Sequence, residues 1–379
     1  MGQDDIITQN SQADCVKESN PLSLEVIRKA IPPHLFYRSE LRFLISVGYS
    51  LSLTLATAYL AYSILPLSIY FLPFWVLYAL LNGTFATGLW VLGHECGHYA
   101  FSPVLWKNNL LGFILHSGLM VPYFTWQHSH FVHHTRTNHL TEGEGHVPDT
   151  IESRRGQAKM RLRDFFGPDA WALKDIVLIL ALGWPIYLIF GISGCPKNGF
   201  TSHFIVPNKL FPKEKLGKVM LSNLGIGISV YLLYLWAQRT SFLDVLAVYI
   251  GPYLVVNMWL TGYTWLHHID ENVPHYDEDG WNWLKGALCT IDRSYPEYIN
   301  TLHFNIGSTH VVHHLFSALP HYNARKANNE IKKVLGDRYI FDSRNVWRSF
   351  WEVAKLGVLG KNGKGTWNFI TKYPFFVEK

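Results

Sequence analysis

Uncharged apolar stretches dominate the pattern of this chain. From Phe43 through His94 no Asp, Glu, Lys or Arg occurs, a run of 52 residues. At ~1.5 Å rise per residue, that is enough for two helical crossings of a ~30 Å hydrocarbon core. A hinge around Pro66 divides it into spans at 43–63 and 68–93. Further uncharged runs cover Asn108–Thr135, Ile176–Pro196, Val219–Gln238 and Val245–Ile269. Buried helices of soluble proteins rarely run about twenty residues without a charge, so the pattern predicts an all-α integral membrane protein. Residues 1–42 form a polar arm in which Ser23–Ile31 reads as a short amphipathic helix at the membrane surface, stopped by Pro32-Pro33. The chain thus divides into an arm (1–42), a membrane domain (43–330) and a C-terminal tail (331–379).

Composition adds direction. The net charge is +5, and the basic residues favour the segments between apolar runs, as expected of loops facing anionic cytosolic lipid. Nucleic acid is an unnecessary partner. The first apolar run begins only at residue 43, so it is no cleavable signal peptide. The start Met-Gly-Gln-Asp-Asp-Ile6 is acidic, unlike a transit peptide, and Ile6 stands where myristoylation expects Ser or Thr. Cys15, Cys96, Cys195 and Cys289 lie far apart and suggest neither a disulfide framework nor a zinc knuckle.

Histidines carry the candidate chemistry. Three boxes read His94-Glu-Cys-Gly-His98, His130-Phe-Val-His133-His134 and His310-Val-Val-His313-His314. Neutral imidazole binds iron, zinc and copper, and spacings of three and four residues put ligands on one helix face. The boxes supply eight imidazoles, and His268, directly after the last apolar run, makes a ninth. A single first-row ion takes four to six ligands, so this set suits two ions with positions left open for oxygen. Taken alone, His94–His98 is also the H-E-x-x-H signature of zinc peptidases, with Glu95 as base. A catalytic zinc keeps three protein ligands, which leaves the other boxes unexplained. Glu95 is better read as a carboxylate orienting a ligand imidazole. A metal transporter is a further alternative, but it should carry ionisable groups within its spans, and these carry no charge. His128 and His139 flank box two as supporting or surface residues, and His267, His303 and His321 are further candidates for metal contact. His34, His116, His146, His203 and His275 read as loop or interface histidines.

A shared site constrains topology. All boxes must lie on one side of the bilayer, so even numbers of crossings separate them. The run 108–125, with its asparagines, glycines and Pro122, should not cross. Of the three apolar runs between boxes two and three, 176–194 is broken by Gly183-Trp-Pro185 and flanked by lysines on both sides, so it reads as re-entrant or interfacial. About four transmembrane helices result, with the arm, a helical cap holding the histidine-rich di-metal site and the C-terminus all cytosolic.

The order and form of the boxes resemble the membrane fatty acyl desaturases and their hydroxylase relatives. Lys29-Ala-Ile-Pro-Pro-His34, His94–Ser102, Val121–Trp126, Trp283–Ala287, Thr290-Ile-Asp-Arg293 and Thr309–Ser317 with Pro320-His-Tyr322 are similar to the delta-12/omega-3 branch, over residues 21 to 330. The resemblance implies that His94, His98, His130, His133, His134, His310, His313 and His314 hold two irons. His268 matches the family histidine after the last span. Leu266-His-His-Ile-Asp270 follows neither subfamily's pattern, Glu95 leans to delta-12 members and Ile291 to omega-3. No His-Pro-Gly-Gly segment occurs, so no cytochrome b5-like domain is expected in the chain.

What the family implies is an oxygen-dependent desaturase converting oleoyl to linoleoyl chains, with O2 as co-substrate and the metal centre as its catalytic apparatus. Electrons would come in trans from cytochrome b5 and its NADH-dependent reductase in the endoplasmic reticulum, or from ferredoxin in a plastid. The alternatives are an omega-3 desaturase of linoleoyl chains and a hydroxylase or acetylenase on the same scaffold.

Overall fold

The structure, a computed structural model, describes residues 22–370. The acidic start, Ile6 and Cys15 lie outside them. Among the described residues, five helices are long and apolar enough to cross a membrane: Glu40–Ile64, Ile69–Gly97, Pro168–Phe190, Lys213–Arg239 and Phe242–His268. Short helices and strands between them build a polar layer.

Along the chain, Ser23 caps α1 (Leu24–Ala30) by accepting from the Val26 amide. α2 (Glu40–Ile64) and α3 (Leu72–Gly97) form an antiparallel pair. Buried Asn82 ties them, donating to the Thr54 carbonyl and Thr57 hydroxyl at 2.7 Å each. α4 (Leu105–Ser117) and α5 (Tyr123–Thr135) have 13 residues each, about 20 Å, too short to cross. They occupy the run 108–125 and box two, as the asparagines and Pro122 suggested.

α6 (Arg154–Phe166) is polar, and Gly167, at φ 81°, turns the chain into α7 (Pro168–Phe190). α7 is one unbroken helix of 23 residues rather than the interrupted segment expected at Gly183-Trp-Pro185. A proline inside a helix forfeits one hydrogen bond, and neighbouring packing holds the rest of the ladder together. Both ends of α7 meet the polar layer. Near the start, Asp169 pairs with Lys355 at 2.7 Å and Ala172 joins a cluster with Trp265 and Leu266. Near the end, the Leu188 carbonyl accepts from the His203 amide at 2.9 Å, and Tyr187 donates to Glu144 at 2.9 Å.

α8 (Leu216–Arg239) and α9 (Phe242–Val245) lead into a π-helical turn, Leu246–Ile250, and then α10 (Gly251–His268). The turn has a local cause. Pro252 has no N–H for the Val248 carbonyl, which accepts from the Tyr78 hydroxyl at 2.8 Å instead. α10 lies directly on α3, where Gly83 leaves room for Pro252 and Val255.

The C-terminal third supplies α11 (Trp283–Leu288), α12 (Glu297–Leu302), α13 (His310–Leu315), α14 (His321–Leu335) and α15 (Val346–Ala354). Strand β2 (Ile291–Arg293) pairs in parallel with β3 (Ile340–Asp342). β1 (His275–Tyr276), β5 (Thr366–Ile370) and β4 (Val358–Lys361) form an antiparallel sheet in that order. Residues 331–370 are therefore folded onto the layer, with Phe350 and Val353 of α15 against Trp265 and Leu266 of α10. α1 is fastened there too, with Ile27 and Ile31 buried among Ala327 and Ile331 of α14. The largest apolar core lies between α3, α5, α7 and α10, under the histidines.

Candidate metal centre

Four helix ends converge. His94 lies in the last turn of α3, His130, His133 and His134 in the last turns of α5, His268 closes α10, and His310, His313 and His314 lie on the short α13. His98 is the residue that ends α3. Ring nitrogens of His94, His98, His130, His134 and His313 all lie within 4.8 Å of one another, as do those of His133, His268 and His314. Eight of the nine candidate ligands thus fall into two groups. His310 stands beside the second, its Nε2 3.4 Å from that of His268.

The grouping cuts across the boxes. On an α-helix successive side chains diverge by ~100°, whereas residues four apart share a face. His130 and His134 accordingly join the first group while His133 turns to the second. α13 does the reverse: His313 reaches the first group, and His314, with His310 four residues earlier, faces the second.

The rings are suited to metal. Nε2 of His94 and His130 are 2.9 Å apart, those of His130 and His134 3.2 Å, and those of His133 and His268 3.1 Å. Nε2 of His98, His313 and His314 is buried without a protein partner. Lone pairs facing each other at these distances leave a place for a cation between them. Burial holds His98 at about 3 and His133 at about 4, and keeps His130, His134, His310, His313 and His314 well below the usual imidazole range. Neutral imidazole is the ligand form.

Two of the outer nitrogens have partners that set ring orientation. His133 Nδ1 is 2.7 Å from the Glu144 carbonyl, and His314 Nδ1 is 3.2 Å from the Thr137 hydroxyl. Glu95 Oε1 sits 3.5 Å from His94 Nδ1 and 3.9 Å from His313 Nδ1, between two rings of the first group. Glu144 gave no signal in the sequence. Its buried carboxyl, pushed up to about 7 by desolvation, accepts from Tyr187 and from the Cys195 amide, tying α7 to the loop behind His133.

The remaining histidines have other partners. His267 reaches the Gly307 carbonyl, His303 lies between Tyr263 and the Thr84 carbonyl, and His321 meets Ser46. His128 faces the Leu210 carbonyl, and His139 accepts from two loop amides. His116, His203 and His275 are buried, His116 on α4, His275 on β1 and His203 in the loop after α7, and His146 meets Thr264 on α10.

A cavity of about 600 Å³ reaches the centre at His130 and His133. Its walls are largely apolar, with Leu178, Ile179 and Trp184 of α7 facing Leu260 and Thr261 of α10. The volume suits one extended small-molecule or acyl ligand.

With this geometry in place, comparison with known proteins is informative. Residues 71–344 match the family described as fatty acid desaturase. The chain is 38% identical to a delta(12) fatty acid desaturase of Calendula officinalis, covering 89% of this chain and 87% of the relative. A delta(12)-fatty-acid desaturase of Arabidopsis thaliana is 38% identical, covering 92% and 91%. An oleoyl-12-hydroxylase of Ricinus communis is 35% identical, covering 88% and 86%.

Proposed function

The chain belongs to the fatty acid desaturase family, and from that premise we propose that it inserts the delta-12 double bond into oleoyl chains with two iron ions held by its histidine groups. The observation that carries this reading is the meeting of two sets of buried or half-buried imidazoles at the end of one largely apolar cavity. His94, His98, His130, His134 and His313 would hold one ion, and His133, His268, His314 and His310 the other. A redox-active metal pair supplies dioxygen activation, which zinc cannot.

The protein's own residues do the rest. The facing walls of α7 and α10 confine the acyl chain and exclude water from the unactivated methylenes. The Glu144 carbonyl and the Thr137 hydroxyl hold the His133 and His314 rings in one orientation, and the Glu95 carboxyl lies between the His94 and His313 rings, where it would orient them once the site is filled. Removing two hydrogens from the chain while O2 becomes two waters consumes two further electrons and two protons. These come from a donor in trans, cytochrome b5 with its NADH-dependent reductase in the endoplasmic reticulum, or ferredoxin in a plastid. Four helices cross, α2, α3, α8 and the α9–α10 unit, while α7 stays on the cytosolic side. Its two ends, both fastened to the histidine-bearing layer, support that topology.

Expression in a host that makes oleate but little polyunsaturated lipid, followed by fatty-acid profiling, tests the function. New 18:2(9,12) is expected. Product appearing only when linoleate is fed would assign omega-3 activity instead. The likeness to the Ricinus communis oleoyl-12-hydroxylase makes 12-hydroxyoleate the second product to quantify.

A further inference from the structure

Strand β2 carries two fully buried ionisable residues for which the proposed chemistry has no use. Arg293 donates from Nε to the Leu266 carbonyl at 2.8 Å and from Nη2 to the Ile269 carbonyl at 3.5 Å. These are the orphan carbonyls at the end of α10, where a cation is favoured. Asp270 and Asp342 hold the guanidinium from the other side. Asp292 bonds in another direction, since neighbouring strand residues face opposite ways. Its Oδ1 accepts from the Val311 amide in the first turn of α13 at 2.8 Å, and its Oδ2 from Asn328 at 2.7 Å and from the Tyr339 hydroxyl. One dipeptide therefore grips the helix that ends in His268 and the helix that carries His310, His313 and His314.

We propose that Arg293 and Asp292 are positioning residues that set the spacing of the two ligand helices, and that they act unequally on the two histidine groups. α10 contributes His268 to the second group and nothing to the first, whereas α13 contributes to both. Loosening Arg293 should empty the second group and spare the first. Loosening Asp292 should weaken both. A role confined to core stability would lower melting temperature without changing how many ions bind.

The proposal rests on reading the two groups as two ion sites, and one measurement separates the two ideas. The full chain in detergent micelles is stripped with a chelator and titrated anaerobically with Co²⁺. Visible absorption and metal per chain are the readouts. Arg293→Lys keeps a buried positive charge beside Asp270 and Asp342, but one ammonium cannot serve both carbonyls and both carboxylates. It is expected to bind one ion where the unmodified chain binds two, with the remaining affinity unchanged. Asp292→Asn keeps size and an acceptor oxygen but sets its amide against that of Asn328. It is expected to lose about tenfold in affinity at both sites.

Two ions bound by Arg293→Lys with unaltered affinity overturn the proposal. Fewer than two ions on the unmodified chain overturn the two-ion reading instead. If Arg293→Lys is not recovered folded, Asp292→Asn decides, with His268→Ala as the one-ion reference: unaltered affinity at both sites in Asp292→Asn also overturns the proposal.

Discussion

At the scale of single residues, the boxes matter because a helix sends adjacent histidines to different places. His313 is the residue α13 gives to the first group, so His313→Ala should remove a ligand without touching the apolar spans. Fatty-acid profiles should show product lost, while membrane fractionation finds the protein at normal abundance; retained product would remove His313 from the ligand set. Glu95→Gln keeps shape but weakens the pull on the His94 and His313 rings, and metal affinity should fall ~10–100-fold. Unchanged affinity would reduce Glu95 to packing. His203 and His275 carry a pH signature. Burial lowers each to about 3, below the ordinary 6.5, so the unfolded chain binds more protons between those values. Their contribution to stability is complete above about pH 6.5 and is lost as pH falls toward 3. Thermal unfolding in detergent from pH 8 to pH 4 should show melting temperature declining only below the upper limit; a flat profile would contradict these buried neutral states. Neither residue could be recognised as buried beforehand, because each lies in a polar segment whose burial comes from distant contacts.

At the scale of elements, close approach of α3 and α10 carries two ligand-bearing helix ends toward one point. A Cβ on Gly83 would meet the Pro252 carbonyl at 2.6 Å and the Val255 Cγ1 at 2.8 Å. Gly83→Val should therefore push the helices apart, costing about 1–3 kcal/mol as overpacking does. The lower melting temperature should be readable by fluorescence-detected size exclusion, and an unchanged one would mean the helices can separate freely. α7 is the element whose role was least apparent from composition. Its hydropathy alone makes it a crossing helix, whereas the lysines on both flanks and the contacts at both ends argue otherwise. A tag inserted within 195–212 should be reached from the same side as one at either terminus. Labelling from the opposite side would make α7 a crossing helix and dismantle the four-span topology.

At the scale of the molecule, the cavity links the candidate metal centre to α7 and α10, so its shape should govern which bond of an acyl chain lies beside the histidine groups. Ile179→Trp adds bulk to one wall without touching a histidine. Desaturation should fall or move along the chain while metal content stays at its normal value; a normal profile would place the acyl chain elsewhere.

Much of this protein is local and therefore present in its sequence. Uncharged runs of about twenty residues commit segments to the membrane, and three- and four-residue spacings commit histidines to helix faces, because both depend on neighbours along the chain. That the run 108–125, which forms α4 and the start of α5, is too short to cross follows from the same local rules. The sorting of His133 from His134 into separate groups, and of His313 from His314, depends on how α3, α5, α10 and α13 are oriented toward one another. So do the support of His133 by Glu144, the grip of Arg293 and Asp292, and the cavity wall built by α7. These are contacts between residues from 11 to well over a hundred positions apart. Only the packed tertiary structure brings them within hydrogen-bonding range.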